Sequence, residues 1–190
     1  MKIAGLYDIF AEKWKDLQTA YIISDLHFGE DDLKKVFPNR PTDEELVNKI
    51  NAKVGRKDLL IILGDCGNLD YVRKLRGYKV LVAGNHEKGL TSAKKVFDEV
   101  YAGPIIISEK LILSHEPINI PGLFNIHGHR HSGKPFSGNP EYNVCADINY
   151  YEPIHFNSWM KEGYLARVNT IHRNTINTAT KNKRKREKIK

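Results

Sequence analysis

Cysteine is scarce: the 190-residue chain holds only Cys66 and Cys145. Two thiols cannot build a disulfide framework or a thiolate metal cluster, and a reducing, cytoplasmic setting is expected. Long apolar runs are missing too. The longest, residues 59–63, falls far short of the roughly 18 residues a membrane span needs. Asp8, Glu12 and Lys13 interrupt the apolar N-terminal residues, so no secretory core is expected there. No internal repeat and no linker divides the chain. Its length suits one domain of the usual size, about 100–200 residues. A hydrophobic content of 41% excludes wholesale disorder. The net charge of +7 is unevenly spread. Seven basic residues and Glu187 give residues 181–190 a charge of +6, which leaves +1 for the other 180 residues. A body this close to neutral excludes a surface that follows nucleic acid along its whole length. The basic tail is expected to be solvated and disordered, with weak nucleic-acid contact as its plausible use.

What is present is a rhythm of short apolar runs separated by helical patterns. Residues 20–24, 58–63 and 79–83 read as buried strands. Between the first two, Thr42 and Glu45 form a capping-box pattern ahead of Leu46, Val47, Ile50 and Val54. Asn68 can cap a second helix through Leu75, and Thr91 starts another through Phe97. Continuous apolar strands with helical crossovers predict a parallel sheet covered on both faces. After residue 104 the rhythm changes. Runs at 105–108, 110–114, 123–126 and 142–147 have no helical pattern between them, which predicts antiparallel pairing in the second half. Residues 156–161 suit a short helix. Residues 1–19 read as an extension ahead of a domain spanning 20–173, with 174–190 as the tail.

Every polar cluster of interest follows the end of a predicted strand, where ligands bind in α/β sheets. The clusters are Asp25-Leu26-His27, Gly64-Asp65, Gly84-Asn85-His86, Ser114-His115 and Gly128-His129-Arg130-His131. Residues i and i+2 of an extended chain point the same way, so Asp25 with His27, and His129 with His131, can each grip one centre. Carboxylates and imidazoles suit manganese, iron, zinc or cobalt. One ion needs three or four protein ligands, and seven candidates imply two ions. Two such ions lie about 3.5–4 Å apart and need a ligand that reaches both; a carboxylate has two oxygens for that. A lone Asp-x-His arises by chance in roughly one chain in five of this length; the five clusters in order are far rarer.

This order resembles the calcineurin-like metallophosphoesterases, and more narrowly their compact bacterial and phage-type members. Asp25-Leu26-His27-Phe28-Gly29 opening the domain, residues 97–101, and residues 143–153 carry further similarity, so that the resemblance covers about residues 20–155. It implies a four-layer α/β/β/α sandwich, parallel in its first half. It implies that Asp25, His27 and His131 hold one metal, that Asn85, His115 and His129 hold the other, and that Asp65 bridges them. His86 would face the phosphate as the catalytic residue, with Asn85 beside it in substrate binding. Glu30 departs from the pattern, in which a histidine often follows Phe-Gly, and adds negative charge near the site.

The expected function is hydrolysis of phosphodiesters, and secondarily of phosphomonoesters, by a hydroxide bridging two divalent ions. Manganese is the first choice, with iron, zinc, cobalt or nickel as alternatives. No membrane association is expected. Two other readings stand beside this one: a catalytically weak scaffold that retains the fold, and a nuclease whose tail holds nucleic acid. Several residues take plainer readings. His127 suits a satisfied buried histidine, Cys66 a small apolar filler, and His155 and His172 packing or surface positions. Arg130 should point away from its ligand neighbours, and Lys88 is read either as solvated or as a phosphate contact.

Overall fold

The computed structural model describes residues 6–87 and 89–187. The order is α1 (Asp8–Lys13), β1 (Ala20–Ile23), α2 (Asp32–Val36), α3 (Asp43–Lys53), β2 (Leu59–Ile62), α4 (Leu69–Lys74) and β3 (Tyr78–Val82). Then follow α5 (Leu90–Ala93), β4 (Glu99–Tyr101), β5 (Ile105–Ser108), β6 (Leu111–Leu113), β7 (Phe124–His127) and β8 (Glu141–Asn143). The chain continues through β9 (Ile154–His155), α6 (Phe156–Lys161) and α7 (Ile171–Glu187). Among the described residues no helix is long and apolar enough to cross a membrane.

Two sheets pack face to face, flanked by helices. The first has the order β4-β3-β2-β1-β9, with β1 to β4 parallel and β9 antiparallel to β1. The pleat sends alternate side chains to opposite faces. Ile22, Leu59, Ile61, Val80 and Val82 meet Leu111, Leu113, Phe124 and Ile126 of the second sheet. Ile23, Leu60, Ile62 and Leu81 meet the buried side chains of α3, α4 and α5 on the outer face. The α3 start is the predicted capping box: Glu45 N–H donates to the Thr42 hydroxyl at 3.3 Å and Thr42 N–H to the Glu45 carboxylate at 2.8 Å.

The second sheet corrects the antiparallel expectation. Its order is β5-β6-β7-β8, and only β5 and β6 are antiparallel; β6, β7 and β8 run parallel. Parallel neighbours need a crossover of roughly a dozen residues, usually helical. Here residues 114–123 and 128–140 make those crossovers as loops, so the chain returns without the helical pattern that would have announced it.

The two chain ends also differ from expectation. Phe10 and Trp14, in what read as an extension, are buried in the core between the sheets. Tyr7 N–H donates to the Ile107 carbonyl at 2.7 Å. The tail, expected as disordered chain, is helical over α7; Thr170 caps it by accepting from Arg173 N–H at 3.1 Å. The side chains of residues 173–184 are all exposed. The expectations for Lys88, the side chain of His172 and residues 1–5 and 188–190 fall outside the described residues.

Glu99 ties the N-terminal segment to the first sheet. Its carboxylate accepts from Lys13 Nζ at 2.6 Å, the Trp14 indole at 3.0 Å, the Tyr78 hydroxyl at 3.2 Å, and the Tyr101 hydroxyl. Burial alone would raise its pKa, but these donors outweigh burial and hold it below the usual glutamate range. A depressed carboxyl contributes stability above its unfolded pKa and loses it as pH falls through the folded one. Glu99→Gln is therefore expected to destabilise the protein by roughly 2 kcal/mol at pH 7. The gap to wild type should narrow as pH drops below about 4. Urea melts at pH 7 and pH 3 measure it, and a gap that does not change with pH would refute the account.

Candidate metal centre

The carboxyl ends of β1, β2 and β3 and the loops after β6 and β7 converge at one edge of the sandwich. There the structure brings all seven predicted donors together. His131 Nε2 stands 3.5 Å from Asp25 Oδ1, and His27 Nε2 stands 3.9 Å from the same oxygen. In the second group, His115 Nε2 lies 2.8 Å from Asn85 Oδ1, 3.1 Å from His129 Nδ1 and 3.2 Å from Asp65 Oδ2. Asp65 Oδ2 is also 3.7 Å from His27 Nε2, so this one oxygen faces both groups.

The backbone is bent to present these side chains. Asp25, His27, Asp65 and His129 all have left-handed φ, between 44° and 68°. Side-chain-bearing residues adopt this conformation at a cost of about 1–2 kcal/mol each. Four of them inside one cluster mark a site where strain is retained for geometry. Two glycines permit the close approach. A Cβ on Gly64 would sit 2.6 Å from both the Gly84 Cα and His115 Nδ1, and one on Gly128 would strike Ser24 and Asp25.

Three imidazoles are aimed the same way. His27 Nδ1 lies 2.8 Å from Glu30 Oε2, His115 Nδ1 2.8 Å from the Leu63 carbonyl, and His131 Nδ1 2.6 Å from Asp147 Oδ2. Each of these oxygens only accepts, so each Nδ1 carries the proton and Nε2 turns toward the cluster. Asp147 is held in turn by Arg40 at 2.5 Å, and Arg40 also donates to the Asp25 carbonyl at 3.1 Å and to the Leu26 carbonyl. The Asp25 carboxylate accepts from Ser24 Oγ at 2.5 Å and from His129 N–H at 2.9 Å. Glu87 accepts from Cys66 N–H at 3.1 Å and from Gly84 N–H, which fixes the turn that carries Asn85 and His86.

The charges follow from these partners. Burial would favour neutral His115, but Asp65 and the Leu63 carbonyl outweigh it and raise the pKa to about 9. Burial would likewise raise Asp65, yet His115 and the His86 N–H, which donates to Oδ1 at 2.9 Å, bring it below the usual range. Asp147 raises the pKa of His131. Both buried thiols are held neutral: burial pushes Cys66 and Cys145 well above the ordinary thiol range.

A metal fits this donor set. His27 Nε2 is buried without a hydrogen-bond partner and faces two carboxylates. An orphaned buried nitrogen is costly unless something occupies the space before it. The donors of Asp25, His27 and His131 lie within 4.8 Å of one another, as do those of Asp65, His115 and His129.

His86 is exposed, and its ring stands edge-on to that of His27 at 5.3 Å. Arg130 turns out to Glu141 at 2.8 Å, and His155 packs on Tyr21, as expected. Cys66 fills the core as expected. His127 is buried with Nδ1 2.7 Å from the Gly128 carbonyl, but its Nε2 has no hydrogen-bond partner, the Glu141 carboxylate standing 3.9 Å away, so it is only half satisfied. Sequence reasoning gave no role to Arg40, took Asp147 and Glu87 only as part of the family resemblance, and read Glu30 as a lost substrate contact and added charge. Glu87 had a signal in following His86 directly. Arg40 had none, because its partner Asp147 is 107 positions away.

Comparison with known proteins gives the same picture from outside. No curated protein matches the chain. Among solved structures, a protein of unknown function, AQ665 from Aquifex aeolicus, is 26% identical with a TM-score of 0.65, covering 75% of this chain and 98% of its own. Nuclease MPE from Pseudomonas putida is 22% identical with a TM-score of 0.45, covering 63% of this chain and 64% of its own. The E. coli phosphoesterase Yfce is 15% identical with a TM-score of 0.37, covering 67% and 78% respectively. The family model for calcineurin-like phosphoesterases matches residues 19–186, a span that contains both sheets and the metal-type cluster, and the chain belongs to that family.

Proposed function

We propose that the chain is a two-metal phosphodiesterase, with manganese as its first-choice ion and phosphomonoesters as secondary substrates. The family supplies the coarser fact of phosphoric-ester hydrolysis. The observation that carries the finer reading is the position of Asp65 Oδ2, 3.7 Å from His27 Nε2 and 3.2 Å from His115 Nε2. In this reading Asp25, His27 and His131 hold one ion, Asn85, His115 and His129 the other, and Asp65 serves both. Bound ions of this kind supply Lewis acidity toward phosphoryl oxygens and a water that ionises near neutral pH.

The chain's own residues do the rest. Glu30, Leu63 and Asp147 each accept from an imidazole Nδ1–H, so that Nε2 is the nitrogen turned toward an ion, which would displace any proton held there. The His86 amide donates to Asp65 Oδ1, and in this reading the exposed His86 imidazole, next to Asn85, gives a proton to the departing oxygen. No side chain forms a covalent intermediate. Ser24 Oγ is committed to Asp25, and both thiols are buried and neutral.

The purified chain is expected to bind two divalent ions per molecule and to lose hydrolysis of bis(p-nitrophenyl) phosphate on chelation. Elemental analysis and titration measure the first, and the chromogenic assay the second. Saturation at one ion per chain overturns the two-metal reading. Two ions with no hydrolysis would favour a fold-retaining scaffold. The nuclease reading draws support from α7, where Arg173, Lys181 and Arg184 are exposed on a helix rich in basic residues.

A further inference from the structure

The near-neutral charge of the body hides a polarity. Helices α1, α3, α4 and α5 end, and β1 to β4 begin, at the end of the sandwich opposite the metal centre. The segments that join them there, residues 13–18, 53–58, 73–79 and 94–98, hold eleven basic residues and three acidic ones. At the metal end the segments leaving β1, β2 and β3, residues 24–36, 63–70 and 83–89, hold seven acidic residues and three basic ones. The two ends stand about 20 Å apart, the rise of six extended residues. An open groove of about 490 Å³ brings the four basic segments together, lined by Asp16, Leu17, Arg56, Lys57, Lys79 and Asp98.

Part of this charge serves the fold. Lys13 pairs with Glu99, Lys53 with Glu152 at 3.1 Å, Arg73 with Asp70 at 2.5 Å, and Lys74 with Glu44. Cations in the last turn of a helix also complement its dipole. Arg56 and Lys57 lie beyond the last turn of α3; they, with Lys94 and Lys95, are exposed and have no carboxylate partner among the described residues. The exposed Arg76 guanidinium donates to the Asn51 carbonyl at 3.2 Å, which leaves its charge uncompensated.

The basic helix enters from the same end. Lys110, in the turn between β5 and β6, donates to the Leu165 carbonyl at 3.4 Å. Tyr164 packs on Phe124 at the start of β7, with ring centroids 6.1 Å apart. Both contacts lie opposite the loops that carry His115 and His129, and Thr170 caps α7 soon after. On α7, Arg173, Asn177, Lys181 and Arg184 follow at spacings of four, four and three, which puts them on one face. All four side chains are exposed.

We propose that this end is a docking face for nucleic acid, which is held there by its phosphate backbone, away from the metal centre, as a platform and not as the substrate. The inference goes beyond the phosphoesterase reading and does not depend on it. Uncompensated cations on neighbouring loops and a basic helix attract a polyanion, with release of its counterions. Arginine, lysine, asparagine and threonine are the usual donors to backbone phosphates. A lipid surface fits less well, because an interfacial helix needs a broad apolar face. Ile176 is the one exposed large apolar residue among the described side chains of α7.

Fluorescence anisotropy of a labelled DNA duplex, titrated with the full metal-loaded chain between about 50 and 200 mM salt, tests this. Three variants each remove two positive charges: Arg56→Gln/Lys57→Gln on the face, Lys181→Gln/Arg184→Gln on α7, and Lys34→Gln/Lys35→Gln at the metal end. The first two should each weaken binding at low salt by at least about fivefold and flatten the logarithmic salt slope by about 1–2, as loss of two phosphate contacts requires. The third should do neither. Thermal melts check that each variant is folded; should Arg56→Gln/Lys57→Gln unfold, Arg76→Gln carries the comparison. Saturating duplex should stay intact and leave hydrolysis of bis(p-nitrophenyl) phosphate unchanged. Equal weakening by all three pairs, or a loss confined to the helix pair, overturns the docking face. Equal or tighter binding to vesicles rich in phosphatidylserine overturns nucleic acid as the partner. Inhibition by the duplex, or its cleavage, overturns its place away from the metal centre. Failure of the phosphoesterase reading would show in the hydrolysis assay alone and leave the anisotropy result standing.

Discussion

Asp65→Ala is expected to abolish turnover more completely than any other single change at the cluster, by at least about 10³-fold, or roughly 4 kcal/mol of transition-state stabilisation. The side chain is 3% exposed, faces both donor groups with one oxygen and holds the His86 amide with the other. Its removal leaves the His27 and His115 nitrogens without the anion that orients them and withdraws a donor shared by both proposed ions. Bound metal should fall below two per chain. Alanine is also strained at the left-handed φ of 51° found here, so Asp65→Asn provides the control. Asparagine tolerates that conformation and keeps the amide contact but removes the charge. If Asp65→Ala retains near-normal activity while Asp25→Ala does not, the sharing of Asp65 between two ions is wrong.

His86→Asn or His86→Ala should lower kcat by about 10²–10⁴ and leave metal content at the wild-type level. That range corresponds to roughly 3–5 kcal/mol. The imidazole follows Asn85 directly and is exposed, so it can reach substrate without duplicating a donor. The loss should shrink as the leaving alcohol becomes more acidic, since a better leaving group needs less protonation. A series of aryl phosphodiesters of graded leaving-group pKa, assayed with both forms, reads this directly. Loss of metal from the variant would instead make His86 a ligand.

The donors were legible because each ends an apolar run, and strand ends are readable from composition alone. Asp25 follows 20–24, Asp65 follows 58–63 and Asn85 follows 79–83. The parallel return of β7 and β8 was not legible, since loop crossovers leave no periodic trace. Trp14 and Phe10 fell in what read as an extension; their burial depends on a space between two sheets that no local pattern encodes. The supports of the cluster were hidden for the same reason. Arg40 reaches Asp147 through tertiary structure, and the left-handed φ of Asp25, His27, Asp65 and His129 comes from packing that overrides local preference.

The anchoring of the N-terminal segment has a consequence for synthesis. Trp14 waits for Glu99, 85 positions later, and the edge of β1 is covered only when β9 arrives at residue 154. At about 5–20 residues per second, Trp14 leaves the ribosome on the order of 5–20 s before its partner exists. Throughout that interval Phe10 and Trp14 are exposed aromatics on a nascent chain, beside a growing parallel sheet with an open edge. This segment is thus made well before the strands that bury it, and that interval is where a chaperone would find it.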